Sequence, residues 1–300
     1  MSLSQYAGLT QERGKIGLAT GGPKRRIDMQ NLNGKRVIIT GGSQGLGLAM
    51  VEALAACGAG VVAISRDRAN LAAAERAGAA VIAGDATDAL LMNKVVREET
   101  PDVLILNAGT RLPIKPIDQQ NWDEFSTVWN TDVKAGLVGI QAALHTPMKP
   151  GSRVLVMSSG AAMVLAVPFI KPEDLSLSGG YIGAKRMLWF MAHSANVVSR
   201  ERNLGIHFQV LAPMQLIPGT TLGHEVAAVC AELEGISIEE HLMQRYGSIL
   251  RPAQIGEQVA ELLSDPRYVG GVAYGFRNGS DILPLDVTYD PKSASIPRTQ

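Results

Sequence analysis

One stretch restricts the fold of this chain more than any other. The β-branched run Arg36-Val37-Ile38-Ile39-Thr40 leads directly into Gly41-Gly42-Ser43-Gln44-Gly45-Leu46-Gly47, and then into Leu48-Ala49-Met50-Val51-Glu52. Strand-forming residues, then glycines, then apolar residues at helical spacing read as strand, tight turn and helix. In that setting glycines let the chain turn sharply and let a pyrophosphate approach the backbone. The helix N-terminus supplies free N–H groups and the positive end of its dipole. The Gly-Lys-Ser/Thr ending of a mononucleotide phosphate loop is absent.

The same rhythm continues. Val61–Ile64, Ala80–Ala83, Val103–Leu106, Val154–Met157 and His207–Leu211 are short apolar or β-branched runs separated by segments of helical length. Phe125, Val128, Trp129, Val133, Leu137, Ile140 and Leu144 share one face of a helix predicted over Asp123 to His145. Strands apolar on both faces, alternating with helices, specify a parallel sheet covered on both sides. The expectation is a single α/β domain over 34–285, a Rossmann-type doubly wound parallel sheet, with an arm at 1–33 and a tail at 286–300. With 46% hydrophobic and 19% charged residues, the chain does not have the makeup of a disordered one. Lys+Arg 28 against Asp+Glu 28 leaves no net charge, which speaks against nucleic acid or an anionic membrane as partner. The longest nearly apolar stretch, Ala53 to Ile64, is too short to cross a bilayer. Two cysteines, Cys57 and Cys230, imply no disulfide framework, so a cytoplasmic location is expected.

The second predicted strand ends Ile64-Ser65-Arg66-Asp67. A ribose 2′-hydroxyl calls for an acidic acceptor at this place, and a 2′-phosphate calls for Arg. Ser65 and Arg66 therefore favour NADP(H) over NAD(H). Asp67 is the competing acceptor, but it reads better as the cap of the helix that follows.

Further motifs follow in order: Asp85-Ala86-Thr87-Asp88, Asn107-Ala108-Gly109, Asn130, Ser158-Ser159 and Tyr181-Ile182-Gly183-Ala184-Lys185. Together with the glycine loop, this set resembles the short-chain dehydrogenase/reductase family in its shorter, NADP(H)-using branch, over about residues 34 to 280. The resemblance implies a sheet of about seven strands and hydride transfer between a nicotinamide and a carbonyl/alcohol pair. It places Gly41, Ser43, Gln44, Gly45, Leu46 and Gly47 around the pyrophosphate, and Ser65 and Arg66 at the 2′-phosphate. Asp85 and Ala86 would meet the adenine, Asn107, Ala108 and Gly109 the adenosine ribose, and Pro213 the nicotinamide carboxamide.

Tyr181 and Lys185 lie four apart, one turn along a helix face. A tyrosine near its reference pKa of about 10 holds its proton too firmly for exchange at neutral pH, and a fixed ammonium nearby favours the phenolate. Tyr181 is thus the expected general acid for carbonyl reduction, with Lys185 also on the nicotinamide ribose. Ser159 is the expected hydroxyl donor to the substrate oxygen, with Ser158 and Ser178 as competitors. Asn130 resembles the family's asparagine that holds a water in a proton relay to the lysine.

The chain departs from the family's pattern between Ser159 and Tyr181, where the connection is longer than usual, and at Pro213-Met214, where the family has Pro-Gly. The five histidines show no metal-ligand spacing, so no metal is expected. Trp129, Leu137, Trp189 and Phe190 exceed what is needed to face the sheet, and related proteins pair through these helices. A homodimer or homotetramer acting on a small-molecule carbonyl or alcohol is the expectation. A nucleotide-binding protein without turnover and a reductase of oxoacyl thioesters are the alternatives.

Overall fold

Each of the six apolar runs forms a strand in the computed structural model, which describes residues 32–163, 180–279 and 282–285. They are β1 (Arg36–Thr40), β2 (Gly60–Ser65), β3 (Ala80–Ala83), β4 (Val103–Leu106), β5 (Arg153–Met157) and β6 (His207–Pro213). Two more, β7 (Ala273–Phe276) and β8 (Leu283–Pro284), complete the sheet in the order β3-β2-β1-β4-β5-β6-β7-β8. Pairing is parallel from β3 to β7, with β1 flanked by β2 and β4. The eighth strand, one more than the expected seven, is a two-residue antiparallel edge in which Gly275 faces Leu283.

The pleat explains why the runs are apolar throughout. Val37 and Ile39 point into one core with Met50 and Leu54, while Ile38 points into the other with Leu104, Val154 and Met92. The first layer is roofed by α1 (Gly45–Ala56), α2 (Ala72–Arg76) and α9 (Pro252–Ser264). The second is roofed by α3 (Ala89–Glu99), α5 (Lys134–His145) and α6 (Gly180–Glu201). Three further helices, α4 (Trp122–Val128), α7 (Thr221–Glu234) and α8 (Ile238–Tyr246), lie outside these layers. Local chemistry fixes their starts. Asp88 caps α3, while Asn121 with Glu124 and Ser237 with Glu240 form capping boxes on α4 and α8.

The helix predicted from Asp123 to His145 is interrupted. Trp129–Val133 forms a π turn between α4 and α5. Its wider hydrogen-bonding loop shifts the helix face, so residues beyond Trp129 point differently from those of an unbroken α-helix. Of the expected arm only residues 32 and 33 are described, and Leu32 is already part of the core. The tail 286–300, Ser178 and the stretch 164–179 lie outside the described residues.

Candidate active site

The strand order reverses direction at β1 and β4, and in such sheets the crevice beyond the strands' C-terminal ends is where ligands bind. Here it is a cleft of about 550 Å³ lined by the glycine loop, the ends of β2 to β6 and the first turns of α6 and α7.

The loop is held in shape by backbone geometry. Gly41 has φ +68°, a left-handed conformation that favours glycine, and a Cβ there would stand 2.9 Å from the Ala108 Cα. A Cβ on Gly47 would lie 1.9 Å from the Gly41 carbonyl oxygen. Asn107 ties the loop to the end of β4, its Nδ2 donating to the carbonyls of Thr40 and Gly41 at 3.1 and 3.2 Å. The backbone N–H groups of Asn107 and Ala108 both donate to the Thr40 hydroxyl. Asn107 is therefore spent on the scaffold that shapes the cleft.

At the end of β2, Ser65 donates to Ser43 at 3.1 Å, joining two cofactor candidates in one rim. Arg66 is exposed and, among the described residues, has no carboxylate within salt-bridge distance, whereas Asp67 accepts from Ala69 N and Asn70 Nδ2 in the turn that follows. Asp67 thus closes a turn one residue ahead of the expected cap position, since Arg68 is the N-cap of the 3-10 turn Ala69–Leu71. Asp85 accepts from the Thr87 N–H at 2.8 Å, and this bond, with further help from the Thr87 side chain, Arg66 and Lys134, holds its carboxyl below the usual range despite partial burial. Arg66, Asp85, Ala86, Gly109 and Pro213 all line the cleft, as do Gln44, Gly45 and Leu46.

Tyr181 and Lys185 stand on the first turns of α6, and the Lys185 ammonium lies 5.6 Å from the centre of the Tyr181 ring. Both open into the cleft beside Ser159. The two serines that end β5 differ in commitment. Ser158 is buried and donates to the Lys185 carbonyl at 2.9 Å, while the half-buried Ser159, among the described residues, only accepts with its hydroxyl, from the Ala161 N–H at 3.2 Å. Ser159 thus keeps its proton for a ligand.

Asn130 is the one predicted site residue that the structure does not bring to the cleft. It is exposed, does not line the cleft, and its Nδ2 donates to Ser126 Oγ one turn back at 3.1 Å. The π turn presents Asp132 inward in its stead. Asp132 Oδ2 lies 2.9 Å from Lys185 Nζ, with side chains 3% and 9% exposed, and Oδ1 accepts from the Thr110 N–H at 2.9 Å. Burial pulls the Lys185 pKa down, but Asp132 and Tyr181 more than reverse it, and the net shift is upward. Sequence reasoning passed over Asp132. Its one available signal was an acid in an otherwise apolar helix face.

Of the four aromatic and apolar residues expected to exceed the needs of the sheet, Phe190 and Leu137 are exposed. Trp129 and Trp189 are used within the chain, donating to the Gly180 carbonyl and to His193. No helix among the described residues is long and apolar enough to cross a membrane.

Comparison with known proteins agrees with this geometry. A sequence profile described as short chain dehydrogenase matches residues 35–170. An L-fucose dehydrogenase of Rattus norvegicus is 25% identical over 264 residues, covering 83% of this chain and 90% of that protein. A gluconate 5-dehydrogenase of Gluconobacter oxydans is 30% identical over 158 residues, covering 48% and 60%. Among solved structures, a short chain dehydrogenase from Burkholderia cenocepacia in complex with NADP superposes with a TM-score of 0.64 at 22% identity, covering 82% of this chain and 96% of that one. Strand order, glycine loop and the Tyr181/Lys185 pair agree with these matches, and the chain is similar to short chain dehydrogenases, by sequence profile over residues 35–170 and by fold over most of its length.

Proposed function

We propose that this protein is an NADP(H)-dependent carbonyl reductase or alcohol dehydrogenase with Tyr181 as its general acid and base. The observation that carries the reading is that Tyr181, Lys185 and Ser159 open into the same cleft as the glycine loop. Reacting groups and a dinucleotide cradle share one space.

The residues present fit the cofactor. Gly47 has room for nothing larger than hydrogen, so the loop packs tightly onto the first turn of α1, and its residues Gly41 and Ser43 to Gly47 line the cleft where a pyrophosphate would sit. Arg66 is exposed and, among the described residues, has no carboxylate within salt-bridge distance, while the acid beside it is engaged in the turn that follows. That pairing supports a 2′-phosphate over a free 2′-hydroxyl. Two solved structures similar in fold, a blue fluorescent protein from a metagenomic library and the Burkholderia cenocepacia dehydrogenase, are complexes with NADPH and NADP, which supports this reading.

When bound, the nicotinamide supplies the hydride. Tyr181 donates its phenolic proton to the carbonyl oxygen in reduction and recovers it in oxidation. Ser159, whose hydroxyl proton has no acceptor among the described residues, donates a hydrogen bond to the same oxygen as charge develops there. Lys185 fixes a cation next to the phenol. The test is NADPH consumption across ketones, aldehydes and oxoacyl thioesters, with Tyr181→Phe beside the parent. Turnover that survives Tyr181→Phe unchanged would refute the assignment.

A further inference from the structure

The buried carboxylate of Asp132 is not accounted for by that mechanism. Both of its oxygens are engaged, one by Lys185 Nζ at 2.9 Å and the other by the Thr110 N–H at 2.9 Å. Gly109 closes the remaining side, since a Cβ there would come within 2.9 Å of Asp132 Oδ2. The loop after β4, the π turn and α6 thus meet on one carboxylate with no freedom to turn away. Resting on the reading above, we infer that Asp132 is a positioning residue: it fixes the Lys185 ammonium and cancels most of its charge at Tyr181, and so sets the pH range over which Tyr181 exchanges its proton.

The physics is that of a paired rather than a lone cation. An isolated buried ammonium near a phenol strongly favours the phenolate. With a carboxylate 2.9 Å from the nitrogen, the phenol faces a dipole instead, and losing its proton takes the buried cluster from neutral to negative. Among the described residues no other charge offsets this. On α6 the next residue, Arg186, donates to the Ala162 carbonyl. On the loop after β4, Arg111 is paired with Glu225 of α7 at 3.4 Å. Lys134, which opens α5, is exposed and acts on Asp85. Ser158, Ser159 and Thr110 carry no charge. The charged groups that act on Lys185 are Asp132 and Tyr181.

Asp132→Asn separates charge from shape, because its amide oxygen still accepts from Thr110. The measurement is an ultraviolet difference titration of tyrosinate in the cofactor-free protein, with the Tyr181→Phe variant subtracted in each background to isolate Tyr181. Asp132→Asn should lower the midpoint by about one pH unit or more, and the alkaline limb of the reductive pH–rate profile should move with it. Coincident midpoints, or an upward displacement, would overturn the inference, since a merely structural Asp132 changes stability without moving this titration. Should Asp132→Asn lose cooperative melting, Asp132→Ser removes the same charge in a smaller side chain and carries the same expectation. The titration needs no substrate, so a parent that fails to turn over NADPH refutes the proposed function while leaving this test intact.

Discussion

The Gly41 carbonyl oxygen stands 1.9 Å from where a Cβ on Gly47 would be. This contact closes the glycine loop onto the first turn of α1, while the N–H groups of Gly41 and Gly42 donate to the Ile64 carbonyl and tie the loop to β2. Gly47→Ala must push Gly41 away or unwind the turn. It should cost about 1–3 kcal/mol of stability, as overpacking does elsewhere, and weaken NADPH binding by at least about tenfold, equivalent to roughly 1.4 kcal/mol. Cofactor fluorescence and thermal melting measure both; parental binding would show that the loop tolerates a side chain there.

Lys185 makes the second prediction. Lys185→Met leaves Asp132 buried and unpaired, which should cost about 3–5 kcal/mol. The double variant Lys185→Met/Asp132→Asn should recover most of that, because the penalty belongs to the orphaned charge. Burial lowers the Lys185 pKa, but Asp132 and Tyr181 raise it past the ordinary 10.5. A raised folded value means that the pair's contribution is complete below 10.5 and is lost as pH climbs through the higher value. Melting above pH 10.5 should therefore fall more steeply for the parent than for the double variant. Equal slopes would contradict it.

Arg66→Ala should weaken NADPH by about 10–100-fold, the range expected for losing a charge-assisted contact of roughly 1.5–3 kcal/mol, and leave NADH almost unchanged. Titration of both cofactors reads this directly. Equal losses for the two would remove Arg66 from the 2′-phosphate.

Arg153 lies on β5, away from the cleft, and its work is structural. Its guanidinium donates to Gln209 Oε1 at 2.7 Å and to the Leu262 carbonyl at 3.0 Å, tying β5 to β6 and α9. Burial pulls its pKa down to about 10. Arg153→Met orphans two acceptors and should cost about 2–6 kcal/mol, at 1–3 each, with kcat/KM unchanged. A loss of kcat/KM at full stability would contradict a structural role.

Much of this architecture was legible in the residues. Runs such as Val103–Leu106 are apolar on both faces because both faces are buried, and period and length alone identify them as strands of a covered parallel sheet. Tyr181 and Lys185 were legible as a pair because their spacing is local. Asp132 meets Lys185 across 53 positions through the packing of the π turn against α6, a relationship that no local pattern encodes. The π turn carries no proline or glycine to announce it, and without it Asn130 looked like the inward residue. β8 was invisible for a different reason: two residues are too few to show a period.

NADPH consumption by the parent and Tyr181→Phe, on one panel of ketones, aldehydes and oxoacyl thioesters, tests the central claim most directly. The account predicts turnover of at least one carbonyl by the parent and a loss of about 10²–10⁴-fold in Tyr181→Phe, the usual worth of a general acid, with NADPH binding retained. A parent that binds NADPH and reduces nothing, or a phenylalanine variant as fast as the parent, would contradict it.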